Sequence, residues 1–128
     1  MNNALESLRG STVTRVTFEH GIRLLFHRGG WAVIREPFTI SQGDESWVIE
    51  TELINDHSAR VLVILHDDVE DAKVSSEGGL HLVFAKGTKL TVPPSMSREA
   101  WSVELKNPPA MLVSPPGGGE TMRLSNDT

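Results

Sequence analysis

Cysteine is absent from the 128 residues. That excludes disulfides, thiol nucleophiles and Cys-ligated zinc, and it suits a reducing cytoplasm, which is the expected location. Tyrosine is absent too, so Trp31, Trp47 and Trp101 are the only large aromatics with a polar tip. No apolar run comes near the roughly 20 residues that span a bilayer. The longest, Val61-Leu62-Val63-Ile64-Leu65, has the size of a core segment. The opening MNNALESLRG shows no basic stretch followed by an apolar one, so a secretory signal is not expected. Basic residues are outnumbered, with 12 Lys and Arg against 17 Asp and Glu, for a net charge of -5. This balance argues against general nucleic-acid binding, whose affinity comes from neutralising phosphates. It favours a basic partner, or plain solubility.

The familiar catalytic signatures are missing as well. His20, His27, His57, His66 and His81 fall in no HExxH or other metal spacing. No G-x-S-x-G elbow surrounds any serine. Gly117-Gly118-Gly119 lacks the Lys-Ser/Thr that completes a phosphate loop. Neither an enzyme nor a bound cofactor is expected. One alternative stays open: His27 and His81, read as outward-facing on equivalent strands, would serve a metal-binding or small-ligand enzyme if the fold brought them together.

What is present is a pattern written twice. GIRLLFHRGG (residues 21–30) is echoed by GLHLVFAKGT (residues 79–88). At a constant spacing of 58 residues, Val16 meets Val74, Gly21 meets Gly79, Leu24 meets Leu82, Phe26 meets Phe84 and Gly29 meets Gly87. Ile22 and Leu80, Leu25 and Val83, and Arg28 and Lys86 are conservative pairs. Two copies are too few for a solenoid and suit a pseudo-symmetric domain. Each copy reads as a β-meander, because apolar and polar residues alternate with period two between glycine turns. Ile22, Leu24, Phe26, Leu80, Leu82 and Phe84 are the expected core face. Leu25 and Val83 point the other way, and a homodimeric scaffold using a Leu25/Val83 face is a further alternative.

Between the copies, Phe38-Thr39-Ile40 and Trp47-Val48-Ile49 flank a turn at Gln42-Gly43-Asp44. Ala59 to His66 is expected as a helix capped from Asn55-Asp56 or Ser58, with a buried strand as the alternative because Val61, Val63 and Ile64 are β-branched. After the second copy, strands are expected at Ser102 to Lys106, around Met111-Leu112-Val113 and at Thr121 to Leu124, with fraying over residues 125–128. The fold class is therefore α+β and mainly antiparallel β. It comprises two pseudo-repeated β-meanders linked by one short helix, plus a C-terminal hairpin. A single domain spans residues 1–128, with copies at about 12–35 and 70–93 and the hairpin at 97–124.

RVTFEHGIRLLFHRGG, KVSSEGGLHLVFAKGTKLTVPP and REAWSVELKNPPAMLVSPPGGGE together resemble the actinobacterial DUF6188 family over residues 8–124. The shared features are repeated glycine-turn strands, a Leu-rich joining segment, an EAW motif and a late PGG. The resemblance implies an immunity-like role beside polymorphic toxins and transfers no catalytic residue.

Two features bear on a partner. HDDVED places Asp67, Asp68, Glu70 and Asp71 within a few residues, enough negative charge to meet a basic protein. They lack the glycine-centred spacing of an EF-hand loop, so no metal is expected there. Trp101 lies between Glu99 and Glu104 beside a proline-rich loop, where an exposed indole would anchor an interface. The expected function is a non-catalytic protein-binding domain, in its sharpest form an immunity protein that occludes a basic toxin. Neither nucleic acid nor a membrane is an expected partner.

Overall fold

The computed structural model describes residues 3–106, 109–119 and 122–124. Among the described residues, eleven strands follow a short 3-10 helix, Asn3–Leu8. They are β1 (Val13–Phe18), β2 (Ile22–Phe26), β3 (Gly30–Ile34), β4 (Phe38–Gln42) and β5 (Glu45–Ile49), then β6 (Val69–Val74), β7 (Leu80–Phe84) and β8 (Lys89–Val92), and finally β9 (Trp101–Lys106), β10 (Pro109–Val113) and β11 (Met122–Leu124). A second 3-10 helix, Ser58–Ile64, joins β5 to β6. The expected fraying of residues 125–128 lies outside the described residues.

The fold is mainly antiparallel β. One sheet has the order β1-β2-β3-β9-β10-β11 and the other β5-β4-β8-β7-β6. Period-two alternation places Ile22, Leu24 and Phe26 on one side of β2, and Leu80, Leu82 and Phe84 on one side of β7. All six are buried in one core shared by both sheets. Buried Leu5, Leu8, Val61 and Ile64 bring the two 3-10 helices into the same core.

The segment expected to be an α-helix is a single 3-10 stretch. Seven residues, three of them β-branched, gain little from α-helical hydrogen bonds. Burial of Val61 and Ile64 holds the segment instead. His57 makes no side-chain cap. Local closure comes from Ser58 Oγ, which accepts the Asn55 N–H at 2.8 Å, and Asn55 Oδ1, which accepts the His57 N–H at 2.9 Å.

The strand registers match between halves. Val13 pairs with Phe26 and Phe18 with Ile22, while Val69 pairs with Phe84 and Val74 with Leu80. An irregularity follows Val13 in one pair and Val69 in the other. This register corrects the constant spacing read from the sequence. Val74 answers Phe18, not Val16, and the counterpart of Val16 is Ala72. The turn from residue 75 to 79 is two residues longer than that from 19 to 21, so the spacing changes across it.

The correspondence also extends beyond the meanders. Gly10 N–H bonds to the Val69 carbonyl and His66 N–H to the Val13 carbonyl, each at 2.7 Å. Val69 N–H returns to Ser11 and Val13 N–H to Asp67, at 2.9 and 3.0 Å. Thr12 and Asp68 form an antiparallel bridge between these contacts. The starts of β1 and β6 are thus laced together. Ala32 of β3 faces Val103 of β9, and its counterpart Leu90 of β8 faces Ile40 of β4. The β4–β5 hairpin therefore completes the sheet of the second meander, and β9–β10 completes the sheet of the first. The halves are interlocked.

Candidate functional site

The acidic run 67–71 does not form one solvated cluster. Asp67 is 2% exposed. Its carboxylate accepts the Asp68 N–H at 2.8 Å and the Lys86 N–H at 3.4 Å, which ties the turn before β6 to the turn after β7. Asp68 accepts a hydrogen bond from the Thr12 hydroxyl on the seam between the halves. Glu70 is exposed on β6, and its carbonyl accepts the Arg9 Nε–H at 3.1 Å. Asp71 is half-buried. Asp67 is a structural carboxylate, because a buried charge persists only where hydrogen bonds replace its water.

Trp101 corrects the expectation of an exposed anchor. It is fully buried, pairs with Ile34 across β3 and β9, and donates its indole N–H to the Gly78 carbonyl at 2.9 Å. The outer face of its sheet carries Trp31 instead, with Arg23 and Lys106 over the ring at 5.8 and 4.9 Å.

The two histidines belong to different sheets and to positions that do not correspond. His27 follows β2, and its Nδ1 accepts the Thr12 N–H at 3.1 Å. The counterpart of His27 is Ala85: both donate their backbone N–H to the seam, to Thr12 and Asp68. His81 lies on β7, opposite Lys73 and Thr91. Among the described residues, no three or more His, Asp or Glu side chains gather as a metal site would require. Leu25 and Val83 are half-buried, one on each sheet, so they do not make a single face.

Residues 4–123 match the profile of a family of unknown function, DUF6188. The chain belongs to that family. No curated protein and no solved structure matches it. Family membership therefore assigns this DUF6188 chain no chemistry, and its surface must be read directly.

Two surface features of the DUF6188 chain were not singled out from sequence. Arg98 donates to Glu36 Oε2 at 2.6 Å, lies 3.2 Å from Glu52 Oε1, and donates to the Arg35 carbonyl at 2.7 Å. The hydrogen bond with Glu36 raises the Arg98 pKa above its ordinary value, with Glu52 adding to it. Glu19, His20, Gly21 and Arg35 complete an open cleft of about 700 Å³ there. Arg98 thus bridges two carboxylates, which leaves this trio of side chains with a net charge of -1.

The second feature is apolar. Among the described residues, six large hydrophobics are exposed, and five of them (Val48, Leu53, Ile54, Leu62 and Val63) lie between β5 and the end of the second 3-10 helix. The same stretch exposes Glu45, Glu50, Glu52 and Asp56, and Asp44 is exposed just before it. Arg60 sits over the Trp47 ring at 4.5 Å and joins the helix to β5. The signal was legible as GDESWVIETELIND, five acids among apolar residues with no Lys or Arg.

Proposed function

We propose that this DUF6188 protein is a non-catalytic protein-binding domain whose partner carries a basic, partly apolar surface. The observation that carries the reading is the concentration of exposed Val48, Leu53, Ile54, Leu62 and Val63 among exposed carboxylates. Water-exposed apolar side chains gathered in one region are a cost to an isolated protein and a contact surface for a bound one. The surrounding carboxylates speed the approach of a basic partner and reject acidic ones. In its sharpest form the protein is an immunity protein that occludes a basic toxin in the cytoplasm. The partner-facing residues are then Leu53, Ile54 and their acidic neighbours, with Asp68, Glu70 and Asp71 as a secondary acidic surface. We also infer that the halves arose by duplication, a reading supported by their equal registers and laced seam.

The test is capture from the source lysate with the tagged protein and with a Leu53→Ser, Ile54→Ser variant of unchanged thermal stability. A stoichiometric basic partner lost in the variant is the expected result. No partner, or a partner held equally by both proteins, would overturn this surface. Concentration-dependent dimerisation in sedimentation would favour the scaffold reading instead.

A further inference from the structure

The two halves differ at one edge. β10 is flanked on its outer side by β11, with Met111 opposite Leu124, Leu112 opposite Arg123 and Val113 opposite Met122. The counterpart of β10 is β5. Ile40 pairs with Trp47 as Val103 pairs with Leu112, so Ser46, Trp47 and Val48 answer Met111, Leu112 and Val113. Among the described residues, β4 alone pairs with β5. Its other edge ends the sheet.

The backbone of that edge is set for pairing. The β4–β5 hairpin closes on Gln42 and Glu45 around a two-residue turn whose first residue, Gly43, has φ 58°. This is the type II′ geometry that glycine favours at that position. In such a hairpin the closing pair is hydrogen-bonded, and bonded and non-bonded pairs then alternate. Trp47 and Ile49 therefore bond to β4, and Ser46 and Val48 turn their N–H and C=O groups outward. Proteins usually blunt such an edge with lysine, proline or a covering segment. Here the strand reads ESWVI, without either residue, and the 3-10 segment Ser58–Ile64 reaches it through Arg60 on the Trp47 ring.

We propose that β5 is the docking edge for an extended segment of a partner protein, which adds as an antiparallel strand with the pattern basic–apolar–basic–apolar–basic. The inference rests on the protein-binding reading above and specifies its mode. The β10–β11 pair supplies the template, since Met-Arg-Leu is the segment that the equivalent edge accepts. Charge supplies the flanks, because Asp44, Glu45 and Glu50 are exposed around the edge. Charge also disfavours a second copy of this chain in the register centred on Trp47. A twofold antiparallel pairing centred on Trp47 keeps the outward groups in phase, but it sets Asp44 opposite Glu50 of the other copy twice, and like charges directly opposed are destabilising.

The probe is the peptide acetyl-Lys-Met-Arg-Leu-Lys-amide, titrated into the ¹⁵N-labelled full chain. The expected result is chemical-shift change centred on the Ser46 and Val48 amides, with slowed hydrogen exchange at both. The peptide with glutamate at its three basic positions should bind at least about tenfold more weakly, as steering by opposite charge requires. Val48→Pro removes an outward donor that the β4 ladder does not use, and should abolish binding. If that variant fails to fold, Glu45→Lys with Glu50→Lys reverses the flanks and should weaken binding likewise. Shifts confined to Met111 and Val113, equal binding of the acidic peptide, or no shift at millimolar peptide would overturn the proposal. A lysate partner lost on Leu53→Ser, Ile54→Ser but retained by Val48→Pro would overturn the strand mode and leave the protein-binding reading standing.

Discussion

At Trp101, the indole N–H and the Gly78 carbonyl satisfy each other in a fully buried position. Trp101→Phe leaves that carbonyl unpaired and a void beside it, and should cost about 2 kcal/mol in urea denaturation. An exposed interface anchor would show almost no such loss. His66 holds φ 67°, and the residue making the equivalent seam contact is Gly10 at φ 83°. A side chain in the left-handed region is strained by roughly 1–2 kcal/mol, partly offset because glycine gives up more freedom on folding. His66→Gly should therefore raise the thermal midpoint by the equivalent of about half a kcal/mol. An unchanged or lower midpoint would mean that the imidazole makes a stabilising contact. Asp67→Ala removes a buried carboxylate that two part-buried backbone N–H groups use as acceptor, and should cost roughly 1–2 kcal/mol, whereas Glu70→Ala on the exposed surface should cost almost nothing.

The elements are made by alternation and punctuation, and some punctuation is also packing. Gly30 opens β3 at φ 109°, and a Cβ there would lie 2.5 Å from the Glu104 carbonyl oxygen of β9. Gly87 has a similar φ of 96°, and nothing lies within 4 Å of an added Cβ. Gly30→Ala and Gly87→Ala thus share the dihedral strain and differ in the clash. The first should lose clearly more stability, because it pushes β3 away from β9 and opens the junction between a meander and the hairpin of the other half. Equal losses in parallel chemical denaturation would show that the strand junction yields freely. The 3-10 segment Ser58–Ile64 is similar in kind: its form follows from what Val61 and Ile64 must reach, not from helix propensity.

For the whole molecule, interlocking has a mechanical consequence. β4 pairs with β8, and β9 pairs with β3, so neither half owns a complete sheet. Cutting in the exposed stretch from residue 53 to 57 yields fragments 1–56 and 57–128, each with a hairpin whose partner sheet is in the other. Each fragment alone should lack dispersed amide resonances, and an equimolar mixture should recover the spectrum of the intact chain. A fragment that folds alone would refute interlocking as the basis of cooperativity.

The sequence alone determined the strands, their turns and the core face. Alternation at Ile22-Leu24-Phe26 and Leu80-Leu82-Phe84, glycine at the turns and the doubled pattern are local properties, and local sterics enforce them. It also showed the family resemblance, which the match over residues 4–123 bears out. Tertiary structure decided what depends on distant neighbours. It buried Asp67 and Trp101, put His27 and His81 on separate sheets, and exchanged the two hairpins between the halves. A carboxylate's environment and a strand's second neighbour are set by chain segments tens of residues away, and side-chain periodicity carries no record of them. The open β5 edge belongs to the same class, because an edge exists only once the other strands have taken their places.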